Sequence, residues 1–308
     1  MAKDRNMRAP DTEALGAQSE ATYLGTLGVG DDEPTQLGQS TDVAGIVGRA
    51  IAKTQKRATP QTATTVQHKP TPEPAQPPPP TVQTDEPAQP GFVKVVATVA
   101  DPPPGASGLP FVTDPDSAIA ASYRVLRHRL REANNPTIIA VTSPDRFEGK
   151  TTCAANLAMA LAEHGRERVL LVEANLRFPR LAAALGYVTP SCFARQMVAH
   201  LKSPLSSWDA VAAFFHNLHV LSVDPESTSH LRLNAPSLKL AMDQLRSSGY
   251  KHIVVDCPSA LGSADVNVIE DNADGVLLVA RAGKTTADSL KKAERHLAPA
   301  NILGLVLT

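Results

Sequence analysis

The stretch TIIAVTSPDRFEGKTTCAANLAMALAEHG, residues 137–165, decides the fold. It opens on an apolar run, TIIAVTS (137–143), that reads as a buried strand. It closes on KTTCAANLAMALAEHG (150–165), whose alanines and leucines favour a helix. Between them lies SPDRFEGKTT (143–152). A phosphate-binding loop needs backbone N–H groups wrapped around an anion at a helix N-terminus, a lysine that reaches the β- and γ-phosphates, and a hydroxyl for Mg2+. Gly149, Lys150 and Thr151 supply the end of that pattern, while Pro144 stands where its first glycine belongs. The letters alone are a weak match; the order strand, loop, helix strengthens it.

Two further runs bear on the same site. HIVVDCP (252–258) is an apolar strand ending in Asp256, where a carboxylate can hold the magnesium water shell from the strand beside the loop. Taken alone, a charged residue at a strand end is often only a solvated turn. VLLVEANLRFPRL (169–181) is an apolar strand that leads into Glu173, Asn175, Arg177 and Pro179, placed to face a crevice at the C-terminal ends of the strands. Read plainly, it is a helix start with a capping Asn and a surface Arg. The three runs together favour a nucleotide site that takes Mg2+. Glu148, Gly149, Lys150, Thr151 and Thr152 then surround the nucleotide, Thr151 and Asp256 serve the metal, and Glu173 faces the same crevice.

Outward from these runs the chain keeps alternating. Helices are predicted over 117–133, near 179–186, over 191–215, and over 237–249 and 286–298. Strands are predicted over 168–174, 218–223, 251–257, 274–282 and 302–308. Short apolar strands alternating with helices imply an α/β fold, doubly wound around a mostly parallel sheet. Ahead of this domain, read as residues 113–308, the composition changes. About two thirds of the 26 prolines fall before residue 116, and residues 1–112 read as a long disordered N-terminal tail. Within it, TPEPAQPPPPTVQTDEPAQP (71–90) reads as a polyproline II spacer. DVAGIVGRAIAKTQKR (42–57) puts Val43, Ile46, Val47, Ala50 and Ile51 at helical spacing, but Gly45 and Gly48 weaken that short amphipathic helix.

A formal net charge of −1 gives no bulk case for nucleic acid or an anionic membrane. Cys153, Cys192 and Cys257 show neither metal-ligand spacing nor a disulfide framework and read as thiols in a reducing cytosol. No run approaches the ~18–20 apolar residues that span a bilayer, and the N-terminus lacks a secretory signal. A cytoplasmic protein without a transmembrane segment of its own is expected, reaching the inner face of a membrane through a partner. The histidines pair with nothing that suggests a metal, and Trp208 acquires no role.

The runs ASYRVLRHRL, VTSPDRFEGKTTCAANLA, VLLVEANLRFPRL, IVVDCP, DGVLLVARAGKTT and NILGLVLT, in this order over residues 113–308, resemble the cytoplasmic kinase domain of the bacterial tyrosine kinases of polysaccharide synthesis and export. That family belongs to the deviant-Walker P-loop group, with the cell-division and plasmid-partition ATPases. The resemblance implies an ATP-dependent autokinase that works with a membrane-embedded polysaccharide co-polymerase, a chain-length regulator, and cycles between ring-like homo-oligomers and monomers. It assigns Lys150 and Thr151 to phosphates and magnesium, Asp256 to the metal-side carboxylate, and Arg124 and Arg127 to the oligomerisation helix. The departures are as informative. Arg146-Phe147-Glu148 replaces Pro-Gly-Glu, and a Phe in a left-handed backbone would cost about 1–3 kcal/mol. Glu173-Ala174-Asn175 replaces Asp-x-Asp, Ala121 replaces the oligomerising Glu, and no tyrosine follows Tyr250 in the sequence. A nucleotide-binding regulator of exopolysaccharide or capsule assembly with impaired catalysis is expected. An active ATP-dependent tyrosine kinase, with Glu173 and Asp256 as its catalytic carboxylates, Glu173 as base and Asp256 on the metal, is the alternative. A positioning ATPase of the partition type is disfavoured, because its extra loop lysine would align near Asp145.

Overall fold

The computed structural model describes residues 92–106, 108–227 and 233–308. The strands are β1 (Val93–Val99), β2 (Ile138–Thr142), β3 (Val169–Glu173), β4 (Trp208–Ala213), β5 (Leu218–Leu221), β6 (His252–Asp256), β7 (Gly275–Ala280) and β8 (Ile302–Leu307). The helices are α1 (Pro110–Thr113), α2 (Ala118–Glu132), α3 (Lys150–Ala162), α4 (Leu181–Leu185), α5 (Phe193–Lys202), α6 (Ala235–Ser247), α7 (Asp265–Glu270) and α8 (Ala287–His296).

All eight strands form one sheet in the order β1-β4-β5-β3-β6-β2-β7-β8. Pairing is parallel except between β4 and β5, so β1 and β4 run against the other six. Alternate residues of each central strand enter opposite cores, as a pleated strand requires. Ile138, Ala140, Leu170, Val172, Ile253 and Val255 join residues of α5, α6, α7 and α8 on one face. Ile139, Val141, Val169, Leu171 and Val254 join α1, α2, α3 and α4 on the other. This is the doubly wound, mostly parallel α/β fold that the alternation predicts. All three cysteines are free and buried.

Two expectations are corrected. The region 191–215 is not helical throughout: α5 stops at Lys202, and β4 follows at Trp208–Ala213. Its alanines favour a helix, but pairing with β1 and β5 outweighs that weak preference. The folded part also begins before residue 113. β1 extends the sheet, and Leu109 and Phe111 are buried in the core. Strand β1 escapes notice because prolines bracket it and most of its residues are at least partly exposed at the sheet edge. The proline-rich segment 71–90 and the amphipathic run 42–57 lie outside the described residues.

Candidate functional site

In a parallel sheet every strand delivers its C-terminal end to the same rim, and here β2, β3, β6 and β7 do so side by side. After β2 the chain forms the loop 143–149 and enters α3. Gly149 is the N-cap, with φ 83° and no side-chain cap, so the first N–H groups of α3 are left open to an anion. The left-handed backbone favours glycine there, and a Cβ would also come within 3.2 Å of Thr308 Oγ1. Phe147 has φ 63°, the strained backbone expected of that position, and its ring is 61% exposed.

The loop is held from below. Glu148 is buried, and its carboxylate accepts from the Asp145 N–H at 2.7 Å and from the Thr285 hydroxyl. Lys284 Nζ donates to the Arg146 carbonyl at 2.9 Å. Glu148 therefore shapes the loop and does not line the cleft. The polar run Gly283–Thr286 after the apolar strand β7 was the available signal for these supports, since it emerges at the same rim.

Lys150 and Thr151 begin α3 beside the end of β6. Thr151 Oγ1 donates to Asp256 Oδ2 at 2.7 Å. Asp256 is fully buried, and burial pushes its pKa up to about 6 against the opposing pull of Thr151 and Lys150. Its Oδ1 is buried with no hydrogen-bond partner. Burial also lowers the Lys150 pKa, which Asp256 and Glu148 partly offset. A cleft of about 360 Å3 opens over this pair, lined by Gly149, Lys150, Thr151, Thr152, Asn175 and Arg177, among others. The Oδ1 atom of Asn175 is also buried without a partner. The Thr151 hydroxyl, the Asp256 carboxylate with its orphaned Oδ1, and the orphaned Asn175 Oδ1 are hard donors of the kind Mg2+ takes, together with its own waters. These residues fit the ion.

Glu173 pairs in register with Asp256 on the neighbouring strand but turns to other work. Its Oε1 accepts from the N–H groups of Arg180 and Leu181, at 2.6 and 2.8 Å, and its Oε2 from that of Val223 at 2.9 Å. It thus caps the start of α4 and ties down the loop after β5. Arg124 and Arg127 are far from the cleft. Arg124 grips Glu163 at 2.6 Å and Arg127 reaches the same carboxylate at 2.9 Å. Among the residues that sequence reasoning passed over, Arg146, Phe178 and Arg180 line the cleft. Among the described residues no group of three or more His, Cys, Asp or Glu could hold a metal, and no helix is long and apolar enough to cross a membrane.

No protein-family model matches the chain. Tyrosine-protein kinase YwqD of Bacillus subtilis (strain 168) is 28% identical over 201 residues, covering 64% of this chain and 83% of that protein. Putative tyrosine-protein kinase EpsB of Ralstonia solanacearum is 29% identical over 197 residues, covering 61% of this chain. The match spans 25% of EpsB's length. Among solved structures, the kinase domain of Escherichia coli tyrosine kinase ETK superposes with a TM-score of 0.54 at 21% identity, covering 74% of this chain and 94% of that domain.

Proposed function

We propose, for a chain whose nucleotide-binding domain is of the bacterial tyrosine-kinase type within the deviant-Walker P-loop group, that it binds ATP with Mg2+ and acts as a catalytically impaired regulator in exopolysaccharide or capsule assembly. The observation that carries the nucleotide part is the 2.7 Å bond from Thr151 to the buried Asp256, next to Lys150 at an uncapped helix start. Gly149, Thr151 and Thr152 would receive the phosphates on backbone N–H groups, Lys150 would reach the β- and γ-phosphates, and Thr151 with Asp256 would hold the ion. Bound there, Mg2+ would neutralise charge on the phosphate chain.

Impaired transfer is supported by what surrounds that pair. Glu173, the candidate base, has both oxygens occupied by three backbone N–H groups. Asn175 can neither accept a proton nor offer a charge to the ion. Phosphoryl transfer depends on positioning and on charge around the metal, so these changes act on the step itself more than on binding. The partner that suits this reading is a membrane-embedded polysaccharide co-polymerase. It would recruit the chain to the inner face of the membrane.

Calorimetry tests the binding: ATP with Mg2+ gives a heat of binding to the wild type, and Lys150→Ala abolishes it. A wild type without that heat would remove the nucleotide site. Catalysis is tested with labelled ATP and the partner's cytoplasmic segment. Phosphotyrosine no higher than in the Lys150→Ala control is expected; a clear excess would make the chain an active kinase.

A further inference from the structure

The cleft carries positive charge that the reading above leaves unused. Arg146, Arg177 and Arg180 line it together with Lys150, and among the described residues none of the three guanidinium groups has a carboxylate partner. Guanidinium groups gathered without a carboxylate partner repel one another, and a bound anion relieves that cost. Asn175 does nothing to offset that charge: its side chain is a neutral amide whose oxygen is buried and unpaired.

The position of these groups indicates which part of a nucleotide they would meet. In a phosphate loop, the hydroxyl and the strand carboxylate that serve the metal mark the end of the chain where the terminal phosphate lies. Thr151 and Asp256 mark that end here, and Asn175, Arg177 and Arg180 stand on the same side, after β3. Arg146 spans the cleft to them. Its guanidinium lies 3.5 Å over the Phe178 ring, with the Phe147 ring at 5.1 Å. A guanidinium on an exposed ring is held weakly, whereas a phosphate offers it two charge-assisted hydrogen bonds.

We propose that Arg146 is a terminal-phosphate ligand: a nucleoside triphosphate draws its guanidinium from Phe178 onto the γ-phosphate, and a diphosphate leaves the stack in place. The site would then distinguish triphosphate from diphosphate and report the difference to the loop between β3 and α4. This rests on the nucleotide-binding reading.

Calorimetric titration of the full chain with ATP and with ADP, both in Mg2+ buffer, tests it on the wild type, Arg146→Gln and Phe178→Leu. The wild type is expected to bind ATP at least about tenfold more tightly than ADP. Arg146→Gln loses roughly ten- to a hundredfold for ATP and less than about twofold for ADP. Phe178→Leu, which removes the competing ring, gains about two- to fivefold for ATP alone. An equal effect of Arg146→Gln on both nucleotides, or none, overturns the proposal and leaves the nucleotide site standing. Unaltered ATP affinity in Phe178→Leu overturns the stack as competitor. A wild type that binds neither nucleotide overturns both readings.

Discussion

Glu173 ends β3 fully buried, with three backbone N–H groups donating to its two oxygens. Burial pushes its pKa up to about 7, against the three donors, which favour the charged form. A carboxylate so engaged would have to give up hydrogen bonds to take a substrate's proton. Replacing it with alanine leaves three N–H groups unpaired, those of Leu181 and Val223 buried and that of Arg180 partly so, and each buried one costs about 1–3 kcal/mol. Glu173→Ala is therefore expected to lose at least about 2 kcal/mol in urea unfolding, beyond any change in nucleotide affinity of the folded protein. A base with no structural task would leave stability within about 0.5 kcal/mol, as surface substitutions do. Phe147 keeps a left-handed backbone, φ 63°, with the Arg146 guanidinium 5.1 Å from its ring and Lys284 Nζ 5.7 Å from it. The ring lies largely in solvent at the edge of the cleft, which it helps to line.

Between elements, Glu163 at the end of α3 holds α2 through two arginines. Arg124 makes a bidentate contact, and Arg127 adds a hydrogen bond to the Ala160 carbonyl. The guanidinium of Arg124 above all holds Glu163 below the usual carboxylate range. Residues that could bridge protomers are thus paired within one chain. Glu163→Gln keeps the shape and removes the charge, and is expected to cost about 1–2 kcal/mol with no change of mass in light scattering. A rise in mass would place Arg124 and Arg127 in an interface after all. A second cluster joins α5, β4 and α6. His200 stacks on Trp208 at 3.7 Å, and Gln244 Oε1 takes both the Trp208 Nε1–H, at 3.1 Å, and the His200 ring nitrogen, at 3.0 Å. Burial lowers the His200 pKa below the ordinary imidazole value, with Gln244, Ser207 and Asp209 pulling the other way. The unfolded chain then binds this proton more readily than the folded one. His200's contribution to stability is therefore present above about pH 6.5 and fades as pH falls through its lowered folded value. Trp208 is the only tryptophan, so its emission follows unfolding directly. The urea midpoint of the wild type, relative to His200→Gln, should fall between pH 7.5 and pH 5.5; parallel values at both would refute it.

At the scale of the molecule, the sheet order explains both what could be read from sequence and what could not. The central strands were legible because strands covered on both faces are apolar throughout, and the meeting of Gly149, Lys150, Thr151 and Asp256 at one rim was legible because a phosphate-loop pattern sets residue types at set places along the chain. Thr285, which steadies Glu148 from 137 residues away, and Glu163, which binds Arg124 across 39, were not, because only the fold makes them neighbours. β1 was missed for a related reason: as an edge strand it exposes most of its side chains, and its role lies in backbone bonds to β4. The Phe92 carbonyl accepts from the Trp208 N–H at 2.8 Å and the Val99 carbonyl from the Phe214 N–H at 2.7 Å. Just beyond it, the Gly108 carbonyl accepts from Asn156 on α3 at 2.8 Å. A chain cut to residues 113–308 loses these bonds and the buried side chains of Val93, Leu109 and Phe111. At roughly 1.5–3 kcal/mol for each, it should unfold on the order of 5 kcal/mol more easily than the full chain. Because α3 loses its tie to Gly108, ATP affinity should fall as well, while residues 92–308 should match the full chain in both. Equal urea midpoints for 113–308 and the full chain would mean that β1 and α1 rest on the domain without belonging to it.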